Sequence, residues 1–295
     1  MSTPFFQSIQ NIPNIGFGIG MQNEYYDDIL PTAQPPALLE WIELIPENFM
    51  GKGRQTAQNL DALIAKGYPL TSHGVGLSLG SVDPINPIYL TELTALFETI
   101  NPLWFSDHLS FSSVNGRYLN DLIPLPFTAE AVQVCADKIK FLQDKFQRPF
   151  LIENDSTYAR FPSISQYTEA DFMRAIVETA DCGILLDVNN IFVNCQNHQE
   201  NGEDFVAGLP LERVVEIHIA GHLATDSFLI DTHGEPICDE VFALLAAIYP
   251  QCPNLKGVLL ERDTNIPPFE TLMSELQQVK TVALASVKSK VGSNS

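Results

Sequence analysis

Short apolar runs of five or six residues recur along this chain. Each ends on a polar or glycine-rich break and then passes into a longer stretch with apolar residues at helical spacing. Runs this short and continuous read as strands buried on both faces, with the longer stretches as amphipathic helices laid over them. The predicted strands are residues 15–19, 41–45, 69–73, 103–108, 150–154, 183–187, 214–219 and 258–263. Helices are predicted over about 56–66, over IYLTELTALFETI after Pro87, over about 129–146, and after Pro267-Pro268. The Asn115-Gly116 pair inside 111–118 predicts a hairpin projecting above the strand ends. GFGIG, at 16–20, reads as close backbone packing and not as a phosphate loop.

Eight such strands alternating with helices predict an α/β protein, a single (β/α)8 TIM barrel over residues 1–295 with a metal site at the C-terminal mouth of its strands. The polar tail from about 286 is expected to fray. A doubly wound open sheet is the alternative, but it would not place polar residues at the end of nearly every strand. Here they stand at Glu47, His73, His108, Glu153, Asp187, His218 and Glu261. In a barrel those ends ring one mouth. Buried carboxylates are costly unless paired or bound to a cation, and Arg262 could neutralise one or two of them. Metal ions supply the remaining positive charge.

The stretch from Arg213 to Gly234 concentrates this chemistry: His218, His222, Asp231 and His233 fall within sixteen positions of one strand and its loop. A single histidine there would more often be a satisfied core residue; three, with an aspartate, favour a metal of the first transition row. Other candidates carry less. Glu43 and Glu47 are as readily salt-bridged as ligating, Asp107 faces outward or orients a neighbour, and His198 belongs to a loop.

Composition narrows the class. The 295 residues are 45% hydrophobic, which predicts a large core, and a net charge of −20 argues against nucleic acid and anionic membranes as partners. Five widely spaced cysteines with no C-x-x-C pattern suit a reduced chain. No signal peptide or membrane span is visible, so a cytoplasmic location is expected. P-loop and G-x-S-x-G motifs are absent.

The ordered set HGVGLSLGS, SDHLSFS with GRYLNDLIPLP, LIENDSTY, GILLDVNN, EIHIAGH, IDTHG and LLERD with IPP resembles the multinuclear non-haem iron-dependent oxidative enzymes over nearly the whole chain. Two departures are visible: Ile45 precedes PENF where many members have histidine, and YYDDIL replaces a histidine-containing form. The resemblance implies a TIM barrel holding two or three iron ions, with dioxygen as co-substrate. Its members oxidise cysteine residues of a ribosomally made precursor peptide, with a partner protein that presents the peptide. Carried over by motif, it makes His73, His108, Glu153, Asp187, His218, Asp231, His233 and Glu261 the metal ligands, with Glu153 or another carboxylate bridging two ions. Glu153, Asp187 and His218 are then catalytic, and Asn154, Asn190 and His222 orient ligands or touch substrate. The choice of iron comes from the resemblance alone. Residue chemistry leaves open a zinc-, manganese- or magnesium-dependent isomerase or hydrolase, and also a non-catalytic metal-binding protein.

Overall fold

The computed structural model describes residues 3–32 and 36–293, the side chains of 289–293 excepted. Of the tail expected to fray, Asn294, Ser295 and those side chains lie outside the description. Eight parallel strands close a barrel in sequence order: β1 (Gly16–Gly20), β2 (Trp41–Leu44), β3 (Leu70–Gly74), β4 (Phe105–His108), β5 (Phe150–Glu153), β6 (Gly183–Asp187), β7 (Val214–Ile219) and β8 (Gly257–Leu260). Closure comes from β8 pairing with β1, Gly16 opposite Gly257 and Ile19 opposite Leu260. The open-sheet alternative therefore fails, and every predicted strand is present within two or three residues of its expected ends.

The helices pack outside: α2 (Arg54–Ile64), α3 (Pro87–Ile100), α4 (Ala129–Phe146), α5 (Glu169–Ala180), α6 (Val188–His198), α7 (Asp239–Ile248) and α8 (Phe269–Ser293), with α1 (Pro4–Gln10) preceding the barrel. Four of them start on capping side chains, Asn86, Thr128, Thr168 and Asp187, each accepting a backbone N–H of the first turn. Such caps contribute about 1 kcal/mol apiece.

Inside the barrel an apolar lower layer supports a polar upper one. Trp41, Trp104, Leu151, Leu185, Val215 and Leu259 fill the lower end, and Phe5 and Ile9 of α1 close it from beneath. Gly18 makes room for the Trp41 ring: a Cβ there would stand 2.5 Å from the indole. This accounts for the middle glycine of GFGIG. Between β6 and β7 the register slips by one residue, so Leu185 faces Glu216 while Ile184 faces Val214. Val215 joins the apolar layer, and Glu216 begins the polar one.

Above the mouth stand two ribbons. Ser110–Val114 pairs with Arg117–Pro124 in the predicted hairpin, with Asn115 and Gly116 both at positive φ (51° and 69°), as a two-residue turn of this kind requires. Opposite, the loop after β7 folds into a small ribbon, Leu223–Ala224 against Leu229–Ile230. Gly221 lets this loop descend, because a Cβ there would lie 1.9 Å from the Glu235 carbonyl oxygen.

Candidate metal centre

Barrel geometry brings the strand-end residues together. The ring centroids of His73 and His108 are 4.6 Å apart, and those of His73 and His218 are 5.4 Å apart. Both are far inside the ~15 Å that a barrel mouth allows. Glu153, at the end of β5, is the hub. Its Oε2 lies 3.1 Å from His73 Nε2 and 3.0 Å from His108 Nε2, and its Oε1 lies 3.9 Å from His218 Nδ1.

Four overlapping groups of potential ligands result, three of them at the mouth: His73, His108 and Glu153; Glu153, Asp187, His218 and Glu261; His233, Glu261 and Asp263; the fourth, Glu43, Glu216 and His218, lies deeper in the barrel. In each group one donor atom per residue lies within 4.8 Å of the others. Glu153, Glu261 and His218 each belong to two groups.

The rings are aimed from behind. His73 Nδ1 is 2.9 Å from Ser106 Oγ and His108 Nδ1 is 3.2 Å from the Gly74 carbonyl, so in both rings Nε2 faces Glu153. Asn154 clamps β5 to β6 through two bonds with the Asp187 backbone, each 2.9 Å. Asp187 caps α6 with Oδ1, which accepts the Asn190 N–H at 2.6 Å, and Asn190 in turn donates to the Asn154 carbonyl. His233 has φ of 47°, a left-handed backbone that turns its ring back toward Glu261, 3.2 Å from Nδ1.

These atoms fit a cation. Glu153 Oε2 is buried without hydrogen-bond geometry to either neighbouring imidazole, and Asp187 Oδ2 is buried without a partner. Such orphans are rare in the absence of a function. Among the described residues no lysine or arginine pairs with Glu153, Asp187 or Glu261, and the ion-pair neighbours of Glu153 and Glu261 are histidines. Arg262, expected to neutralise mouth carboxylates, points away and bonds to Glu275 and the Glu235 carbonyl. Alternation explains this: Glu261 turns inward, so its neighbour turns outward.

The electrostatics show the same need for positive charge. Burial would lower His73, but the Glu153 and Glu43 carboxylates outweigh it and raise its imidazole to about 10. His218 and His233 also rise well above the usual range, burial being outweighed by Glu43 and Glu261 for the first and by Glu261 and Asp231 for the second. Burial would raise Glu153, yet His108 and His73 hold it down to about 2. Asp187 moves the other way, pushed well above the carboxylate range chiefly by burial.

Not every expected residue converges. Asp231 enters none of the four groups; its Oδ1 lies 2.6 Å from His233 Nε2 and accepts from Asn189 Nδ2 at 2.8 Å. His222 stands farther out, its Nδ1 2.8 Å from Asn189 Oδ1. Asn189, fully buried, thus joins the two and was not singled out from sequence. Asp107 is buried and not outward-facing: its oxygens accept the Leu77 and His108 backbone N–H groups. Glu47 accepts from Val75 N and Tyr89 Oη; His198, expected in a loop, is the last residue of α6, its Nε2 2.6 Å from the Thr157 carbonyl. Asp263, 3.0 Å from His233 Nδ1, and Glu216, 3.3 Å from His218 Nε2, were missed. For Glu216 a signal existed, since residues two apart in a strand share a face. None of the five cysteines lies in a disulfide, and none enters a ligand group among the described residues.

Comparison with known proteins gives a consistent picture. The family model "RiPP precursor modification enzyme MbnB/TglH/ChrH" matches residues 16–284. A UPF0276 protein of Acaryochloris marina is 44% identical over 269 residues, covering 90% of this chain and 94% of its own. One from Caulobacter vibrioides is 38% identical over 264 residues, covering 90% and 92%. Among solved structures, a D-psicose 3-epimerase from Clostridium cellulolyticum with D-tagatose superposes with a TM-score of 0.55 at 9% identity over 92% of this chain and 96% of its own. A xylose isomerase-like TIM barrel protein from Mycobacterium smegmatis, in complex with magnesium, gives 0.55 at 9% over 83% and 82%. At such identities these two structures speak to the barrel alone.

Proposed function

The chain belongs to the MbnB/TglH/ChrH family of RiPP precursor modification enzymes, and on that premise we propose that it oxidises cysteine residues of a ribosomally made precursor peptide at a multinuclear non-haem iron centre, with dioxygen as co-substrate. The observation that carries this reading is the overlap of ligand groups through Glu153 and Glu261. Overlap of this kind suits adjacent ions that share carboxylates, as a hydrolytic site for one ion would not require.

His73, His108 and Glu153 would hold one ion, and Glu153, Asp187, His218 and Glu261 a second. His233, Glu261 and Asp263 would hold a third, with Asp231 against the outer nitrogen of His233. Iron in such a nitrogen and oxygen cage supplies redox chemistry with dioxygen that zinc or magnesium cannot.

The protein's own contribution is orientation and enclosure. Asn154 and Asn190 fix Asp187, Ser106 and the Gly74 carbonyl fix the two outer imidazoles, and Asn189 fixes His222 beside Asp231. The two ribbons carry exposed apolar side chains, Tyr118 and Leu119 on one and Phe228 and Ile230 on the other. A peptide passing between them would cover the mouth and exclude water. A partner protein that presents the peptide belongs to this reading. So does a cytoplasmic location, supported by thiols outside any disulfide and by the lack, among the described residues, of a helix long and apolar enough to cross a membrane.

Iron-loaded protein, given a cysteine-bearing precursor peptide and its partner, should consume oxygen and change the peptide's mass. Cysteine→serine in the peptide should abolish the change, and zinc-loaded protein should be inert. Turnover by the zinc form under strict anaerobiosis would replace this reading with an isomerase or hydrolase.

A further inference from the structure

His218 is the deepest imidazole of the centre, with no exposed surface, and its two nitrogens face different surroundings. Nδ1 looks to the mouth, 3.1 Å from Glu261 Oε2. Nε2 looks down into the barrel, 3.1 Å from Glu43 Oε1 and 3.3 Å from Glu216 Oε1. Both lower carboxylates are held from their far sides: Thr71 Oγ1 donates to Glu43 Oε2 at 3.2 Å, and Trp104 Nε1 donates to Glu216 Oε2 at 2.7 Å. The Trp104 ring is itself wedged against Trp41 in the apolar plug, 6.3 Å between centroids.

We propose that Glu43 and Glu216 are positioning residues that hold His218 by its Nε2–H, so that only Nδ1 offers a lone pair to the mouth. The inference rests on the metal-centre reading above. Flanked by two carboxylate oxygens, Nε2 is placed to donate; the indole N–H can only donate, so Glu216 Oε2 accepts from Trp104 and Oε1 is left facing the imidazole. The resulting order, indole to carboxylate to imidazole to metal, runs from the closed floor of the barrel to its open mouth. It sets the ring's plane and raises the basicity of the ligating nitrogen. Glu43, Glu216 and His218 also lie close enough to be a cation site in their own right. Their bonding argues otherwise, because Thr71 and Trp104 donate to one oxygen of each lower carboxylate and the His218 Nε2 faces the other two, whereas Asp187 Oδ2 at the mouth has no partner.

Zinc-loaded protein carrying 15N-histidine, examined by long-range 1H–15N correlation, tests this directly. His218 should show a metal-bound Nδ1 and a protonated Nε2. Glu216→Leu should weaken zinc at the group containing His218 by ~10–100-fold while the His73–His108–Glu153 group keeps its affinity, and Glu216→Gln, which retains an acceptor, should restore most of the loss. Trp104→Phe, which deletes only the indole donor, should move the same affinity in the same direction and serves if Glu216→Leu does not fold. Ligation of His218 through Nε2, or an equal loss of affinity at both groups, would overturn the proposal. A wild-type protein that binds no zinc in the mouth would instead overturn the metal centre itself.

Discussion

Replacing Glu153 by glutamine removes the charge on which two ligand groups converge. In protein stripped of metal, burial would raise this carboxyl, but His108, His73 and His218 together hold it at about 2, against 4.5 for a free glutamate. That gap is worth about 3 kcal/mol, a ceiling because the three imidazoles share it. A depressed folded-state value means the stabilisation is fully present above about pH 4.5 and is lost as the pH falls toward 2. Urea unfolding of chelator-treated wild type and Glu153→Gln at pH 7.5 should therefore differ by about 2–3 kcal/mol, and the difference should shrink at pH 3.5. The same variant should lose metal from both groups that share the residue. Equal stability at pH 7.5 together with an undiminished metal content would refute the reasoning, since no hub could then exist at Glu153.

Three further outcomes follow from the structure. Gly18→Ala forces a Cβ to within 2.5 Å of the buried Trp41 ring. It should destabilise the protein by about 1–3 kcal/mol in urea unfolding, the range for overpacking; an unchanged midpoint would mean the ring is free to move. Since His73, His218 and His233 stand above their usual range, metal must displace protons to bind. Calorimetry in buffers of different ionisation enthalpy should show proton release and an affinity that rises with pH; pH-independent affinity would contradict the ligand set. Glu261→Gln should lessen binding at the groups around His218 and His233 while sparing that around His73 and His108, read as partial loss of metal per chain; complete loss would count against separate groups.

The barrel was legible because parallel strands buried on both faces leave short continuous apolar runs, and their C-terminal ends are the one place a TIM barrel collects polar side chains. His73, His108, Glu153, Asp187 and His218 all occupy the last two positions of their strands. What escaped depends on local backbone geometry. The two-residue spacing from His218 could have found Glu216, but not the register slip between β6 and β7 that turns Val215 inward beneath it. Asp263 escaped because it reaches His233, whose own left-handed backbone turns the ring, only where the chain leaves β8 at Leu260 and curls back. The closing role of α1 was hidden in MSTPFFQSIQNIP, where Phe5 and Ile9 read as an ordinary terminus until the barrel above them was built.

Anomalous diffraction at the iron edge from crystals of iron-loaded protein is the most direct test of a multinuclear centre. At least two peaks should appear in the mouth, one among His73, His108 and Glu153 and one among Glu153, Asp187, His218 and Glu261, with a third near His233 and Asp263 if all three mouth groups fill. A lone peak, or peaks away from Glu153, would contradict such a centre.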